Sequence, residues 1–104
     1  MGLHVEATEP YSSWFRGLKD SRAKRRIVSR IDRIAYHGAL LGDYKVLGGG
    51  VVELRFDIGP GYRVYVSIEN GTLMLLLAGG DKSTQIADIG KARRLLKGWR
   101  TRDA

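Results

Sequence analysis

The sequence predicts an α+β fold: an antiparallel sheet, formed by a short N-terminal strand and a three-stranded meander, packed against two N-terminal helices and a C-terminal helix. Three observations predict it. Apolar residues recur with a helical period over 21–37 and switch to a period of two over 51–69. Turn signals, Gly59-Pro60-Gly61 and Asn70-Gly71, separate the period-two segments. A second helical stretch follows the strands. At 104 residues the chain makes one domain, 1–104.

Leu3 to Ala7 alternate as a short first strand. Thr8 is placed to cap a first helix, with Glu9 and Pro10 in its first turn and Trp14, Phe15 and Leu18 on its apolar face. The next helix opens on Asp20 or Ser21 and stops at Gly38. Ala23, Ile27, Val28, Ile31, Ile34 and Ala35 share one side of it; Arg22, Arg25, Arg26, Arg30 and Arg33 share the other, as an arginine ridge facing solvent. A glycine-rich connection spans 38–50. In the strand that follows, Val52, Leu54, Phe56 and Ile58 point one way and Val51, Glu53, Arg55 and Asp57 the other. In the next, Tyr62, Val64, Val66 and Ile68 oppose Arg63, Tyr65, Ser67 and Glu69. Leu73 to Ala78 is almost continuously apolar, so it reads as a central strand covered on both sides. Gly79-Gly80 is expected to break it. Ser83 or Thr84 then caps a final helix with Ile86, Ile89, Leu95 and Leu96 as core positions and Trp99 beyond them.

Composition excludes several classes. Apolar residues make up 43% and charged residues 28%, as in an ordinary globular chain. No apolar run reaches the roughly 20 residues of a membrane helix. The opening MGLHVEATEP lacks a basic region followed by an apolar stretch, so no secretory signal is expected and a cytoplasmic location is. With no Cys, disulfides, thiolate zinc sites and Cys nucleophiles are excluded. His4 and His37 stand far apart and outside any ligand spacing, so neither a metal site nor a Ser-His-Asp triad is expected. No cofactor is implied.

The net charge of +7 is uneven: −2 over 1–15, +6 over 16–33, −2 over 34–90 and +5 over 91–104. Two basic blocks of this kind suit a polyanion or an acidic protein, or serve as solvated helix faces. In the mildly acidic middle, Arg55 and Arg63 fall on the polar faces of neighbouring strands, with Glu53 and Tyr65 beside them and Lys82 just past the third strand. Arg forks grip phosphate oxygens, Tyr offers a ring for stacking and a hydroxyl, and Glu can serve as a base. An ordinary cross-strand ion pair between Glu53 and an arginine explains part of the same pattern. GGDKST is not a phosphate loop of the Walker type: Asp81 stands where glycine is needed and the spacer is wrong.

The segments WFRGLKD, RIVSRIDRI, GVVELR, GPGYRVY and GGDKSTQ, in this order from about Trp14 to Trp99, resemble the phage-derived addiction-module killer proteins of the RelE/ParE toxin superfamily, in its HigB-like branch. The resemblance implies a RelE-like fold and a toxin of a type II toxin–antitoxin module. For the RelE-like and HigB-like members it implies metal-independent cleavage of translated mRNA on the ribosome, by attack of a 2′-hydroxyl on the adjacent phosphate. Arg63 matches the strand arginine that supports the transition-state phosphate. Arg55 and Glu53 match strand positions that carry lysines in the RelE branch, so Arg55 keeps a cationic role and Glu53 becomes a base or an orienter of Arg63. Lys82 falls near the loop cation, and Tyr65 lies beside them. Arg22, Arg25, Arg26, Arg30 and Arg33 would hold RNA. The C-terminal Tyr or His of some relatives has no counterpart, which leaves the general acid open. A ParE-like gyrase poison and an inactive antitoxin-binding relative stay open as alternatives. The implied partner is an antitoxin, a helix-turn-helix protein from an adjacent gene, that covers the Arg55/Arg63/Lys82 surface or displaces the final helix.

Overall fold

The structure is a computed structural model and describes residues 2–102. It has the α+β architecture that the sequence predicts, with one strand more. In order the elements are β1 (His4–Ala7), α1 (Glu9–Gly17), α2 (Ser21–His37), β2 (Tyr44–Gly48), β3 (Val51–Phe56), β4 (Tyr62–Glu69), β5 (Leu73–Asp81), a 3-10 turn (Lys82–Thr84) and α3 (Gln85–Arg102). The five strands form one sheet in the order β1-β5-β4-β3-β2. The meander β3-β4-β5 is antiparallel, whereas β1 runs parallel to β5, so the sheet is mixed.

The local signals act as their chemistry dictates. Thr8 caps α1, accepting from the Tyr11 N–H, and its hydroxyl also donates to the Leu77 carbonyl at 2.6 Å, tying the helix start to β5. Asp20 caps α2, and Gly38 closes it in the left-handed region at φ 74°. Asn70 (φ 55°) and Gly71 (φ 66°) make the tight turn between β4 and β5.

Both sheet faces are covered. On one, Ile27, Ile31 and Ile34 of α2 and Tyr11 of α1 pack on Leu54, Phe56, Val64, Val66, Met74 and Leu76. On the other, Ala92 and Leu96 of α3 pack on Val51, Tyr65, Leu75, Leu77 and Ala78. A bulge between Tyr65 and Val66, opposite Leu77, turns both Leu77 and Ala78 to the α3 side. No helix among the described residues is long and apolar enough to cross a membrane.

Five further expectations are corrected. The connection 38–50 contains β2, which lies at the sheet edge and is exposed along most of its length. Gly79-Gly80 does not break β5, which continues to Asp81. These two positions lack side chains because each faces a packed neighbour: a Cβ on Gly79 would collide with the Trp14 ring, and one on Gly80 with the Asp88 carboxylate. The cap before the last helix is Asp81, which accepts from the Ser83 N–H and caps the 3-10 turn, and α3 begins at Gln85. Ile86, expected in the core, is 90% exposed, and Val28 is 44% exposed on the outer flank of α2.

Candidate active site

The alternation of β3 and β4 places Glu53, Arg55, Arg63 and Tyr65 on the α3 side of the sheet. Register makes them a square: Arg55 stands opposite Arg63 and Glu53 opposite Tyr65. The lower half is sealed. Glu53 and Tyr65 are both 0% exposed, beneath the N-terminal end of α3. The upper half opens to water, with 32% of the Arg55 side chain and 12% of the Arg63 side chain accessible.

Glu53 is the hub. One carboxylate oxygen, Oε1, accepts from Arg55 Nε at 2.9 Å; the other, Oε2, accepts from the Tyr65 hydroxyl at 3.1 Å and from Gln85 Nε2 at 2.7 Å. Burial pushes this carboxyl up. The hydrogen bonds from Gln85, Arg55 and Tyr65, with the charge of Arg55, outweigh burial and hold it below the ordinary glutamate value. It is therefore ionised at neutral pH, with both oxygens occupied. Burial, with the neighbouring Glu53 charge, pushes the Tyr65 phenol far up, so it stays a neutral donor.

Arg63 is held by its own turn. Its Nη1 donates to the carbonyls of Gly61 and Tyr62, both at 3.1 Å, while its Nε lies 4.0 Å from Glu53 Oε1. That Nε is buried and has no hydrogen-bond partner among the described residues. A buried guanidinium donor left without a hydrogen bond is uncommon, and the nearest acceptor to this one is Glu53. Lys82 is exposed, and its stem packs on the turn that holds Arg63. A Cβ on Gly61 would lie 2.7 Å from Lys82 Cδ and 3.5 Å from Arg63 Nη1, so glycine, at φ +81°, lets the aliphatic stem of Lys82 and the Arg63 guanidinium approach one backbone point.

The structure thus brings Arg55, Arg63, Lys82, Glu53 and Tyr65 together at one end of the sheet. It gives Tyr65 no free ring face: the residue belongs to the core beneath α3, so base stacking is not open to it. Gln85 is a member that sequence reasoning missed. It sits 32 positions from Glu53, and only the packing of α3 brings it there. Neither His4, in β1, nor His37, at the end of α2, is part of this cluster.

The arginine ridge lies elsewhere. Helix α2 covers the opposite sheet face, so Arg22, Arg25, Arg26 and Arg33 do not meet the Glu53 cluster. They line an outer groove that ends at Phe56 and Asp57. Arg30 is not one of its free cations. Its guanidinium lies 4.4 Å from the centre of the Phe56 ring and donates to the carbonyls of Asp43 (3.0 Å) and Arg55 (2.8 Å). It ties α2 to the sheet because it reaches an aromatic face, a β3 carbonyl and the carbonyl just before β2 at once.

No family model matches this chain. An uncharacterized protein of Haemophilus influenzae (strain ATCC 51907 / DSM 11121 / KW20 / Rd) is 45% identical over 95 residues, covering 91% of this chain and 94% of that one. The chain belongs to the family of that protein. Among solved structures, a double mutant of the E. coli toxin RelE in its free state superposes with a TM-score of 0.71, over 90% of this chain and 97% of that one. At 9% identity the likeness is one of fold, and the fold of this chain is RelE-like.

Proposed function

We propose that the protein is the toxin of a type II toxin–antitoxin module and that it is a ribosome-dependent endoribonuclease of translated mRNA. The observation that carries this reading is the pairing of half-open Arg55 with Arg63 across neighbouring strands, beside the turn that the Lys82 stem packs on. Arg55 and Arg63 stand side by side with Lys82 at the same end of the sheet, where Glu53 is already occupied and Asp43 and Asp88 lie at the edges. That is a seat for a phosphodiester, on a fold shared with a toxin.

In this reading the 2′-hydroxyl gives its proton to solvent water and attacks the adjacent phosphorus, the P–O5′ bond breaks, the 5′-oxygen leaves with a proton from the Lys82 ammonium, and a 2′,3′-cyclic phosphate remains. Arg63 and Arg55 hold the non-bridging oxygens as charge builds on them, the kind of preorganised stabilisation that is worth most in a partly dehydrated site. Lys82 supports the departing 5′-oxygen. Glu53 is a positioning residue rather than a proton shuttle, because its oxygens are taken and its carboxyl is held acidic. It aims Arg55 directly, and Tyr65 and Gln85 lock it. No step calls for a metal or other cofactor.

Arg22, Arg25, Arg26 and Arg33 supply polyanion affinity from the other side of the molecule, toward ribosomal RNA, while Arg30 is structural. The partner in the cell is an antitoxin, a helix-turn-helix protein from an adjacent gene, that covers the Arg55/Arg63/Lys82 end or displaces α3. Both routes disable the site, since Gln85 is the first residue of α3.

Inducible expression with mapping of RNA 5′ ends tests the reading. Defined cuts within translated messages, lost with Arg63→Ala, support it. Intact messages with DNA-damage signalling point instead to a gyrase poison, and unimpaired growth points to an inactive antitoxin-binding relative.

A further inference from the structure

The outer surface of α2 carries three rows of side chains, each spaced by four residues along the helix. Arg22, Arg26 and Arg30 make one row, Arg25, Ser29 and Arg33 the crest, and Lys24, Val28 and Asp32 the row beside α1. A groove lies on each side of the crest, and both are lined by Arg25, Ser29 and Arg33. One is the arginine groove that ends at Phe56 and Asp57. The other, of about 530 Å³, has no role in what precedes. Phe15 and Val28 give it a mostly apolar lining, Lys24, Arg25 and Arg33 are its cations, and Asp32 is its acid.

The fold leaves this groove unpartnered. Val28 is 44% exposed, midway between Lys24 and Asp32 in its row. No ion pair among the described residues involves Lys24, Arg25, Asp32 or Arg33. Phe15 is not a free platform for a nucleic-acid base: Tyr11 stacks on its ring at 6.1 Å between centroids, and Lys24 Nζ lies over it at 5.1 Å. Arginines alone serve a phosphate backbone, whereas an apolar centre flanked by charges suits a protein that brings both kinds of side chain. Three cations against one carboxylate call for an acidic protein. A second copy of this chain fits poorly, because a two-fold pairing of these faces sets Arg25 and Arg33 against the same arginines. Lys24 to Arg33 covers about 13 Å of α2, about two and a half turns, the length of a short helix laid alongside with apolar residues at i, i+3 or i+4, and i+7.

We propose that this groove docks an acidic amphipathic helix of a partner protein, with its apolar stripe on Val28 and Phe15 and its carboxylates on Lys24, Arg25 and Arg33. The docking stands apart from the ribonuclease reading, and it sets the partner in competition with RNA for the two crest arginines.

The test uses the full chain, isotopically labelled for NMR, and as probe a synthetic helix of about 18 residues with leucines at i, i+3, i+4 and i+7 and glutamates on their flanks. The probe should bind with a dissociation constant below about 100 μM at low salt and weaken as salt screens the exposed cations. Amide shifts should gather on the C-terminal half of α1 and on residues 24–33 of α2. Val28→Asp should raise the constant at least about ten-fold and Lys24→Glu about five-fold, while Val28→Leu should keep it. Asp32→Ala, which removes the acid of the groove, should lower it about two-fold. Val28 and Asp32 are exposed, so melting temperatures of their variants should not change. No binding at that limit, unchanged affinity in Val28→Asp, or equal affinity for the same peptide with lysine in place of glutamate would each overturn the docking. An oligouridylate that moves the same amides and loses affinity in Val28→Asp would overturn it in favour of RNA. A dimer in sedimentation that Val28→Asp dissolves would overturn it in favour of a second copy. None of these readouts depends on cleavage, so the ribonuclease reading and the docking fail separately.

Discussion

Glu53→Gln isolates the hub from its shape. The replacement keeps the volume but offers one acceptor oxygen where the carboxylate offers two. In the native site Arg55 takes one oxygen, and Tyr65 and Gln85 share the other. An amide that keeps its oxygen toward Arg55 presents its NH₂ to two donors, and an amide turned the other way presents it to Arg55. In the first case the Tyr65 hydroxyl, at a 0% exposed position, loses its acceptor, and in the second the half-open Arg55 guanidinium does. An orphaned buried donor costs about 1–3 kcal/mol, and the charge-assisted part of the surviving bonds is lost as well. A total of about 2–4 kcal/mol follows, and at roughly 4–8 °C per kcal/mol for a domain near this size the melting temperature should fall by at least about 8 °C. Urea unfolding gives the free energy, and 5′-end mapping at a temperature where the variant is still folded gives the activity. Cleavage should drop because Arg55 loses its aim. A loss of stability under about 0.5 kcal/mol, the range of an ordinary surface change, would refute the hub.

The other predictions follow from single contacts. Arg30→Ala should destabilise by about 1–2 kcal/mol through loss of the Phe56 contact and two carbonyl bonds, whereas Arg22→Ala and Arg26→Ala should leave urea midpoints unchanged and reduce only the salt dependence of ribosome binding. Gly80→Ala should destabilise by about 1–3 kcal/mol, read in the same urea assay, because its Cβ meets Asp88. Glu53 and Glu69 have depressed carboxyl pKa values: at Glu69 the Arg100 hydrogen bond is the main cause and wins over burial. Their stabilisation is therefore fully present above the ordinary value of 4.5 and is lost as pH falls through the lower folded values. Melting temperature should be flat near neutral pH and fall in acid, and Glu53→Gln should converge on wild type there because protonated Glu53 has lost the same charge.

Much of the fold was legible because period and turn chemistry agreed. The β3 and β4 alternation placed Arg55, Arg63, Glu53 and Tyr65 on one face without coordinates. β2 was not legible: Tyr44, Lys45 and Val46 are all exposed, so backbone pairing at the edge, not burial, makes the strand, and no apolar alternation records it. Gly79-Gly80 misled because glycine weakens strands on its own, while Trp14 and Asp88, far off in sequence, demand its lack of a side chain. The same limit hid Gln85 and the structural duty of Arg30, since each depends on a partner that only packing supplies. Tyr65 looked amphipathic in alternation, and α3 buried it.

The most direct measurement is mapping of RNA 5′ ends after induction of the wild-type chain and of Arg63→Ala, at matched protein levels. New ends clustered within translated messages in the wild type, reduced at least about 100-fold in the variant, are the result the account predicts. Equal cleavage by both chains would contradict it.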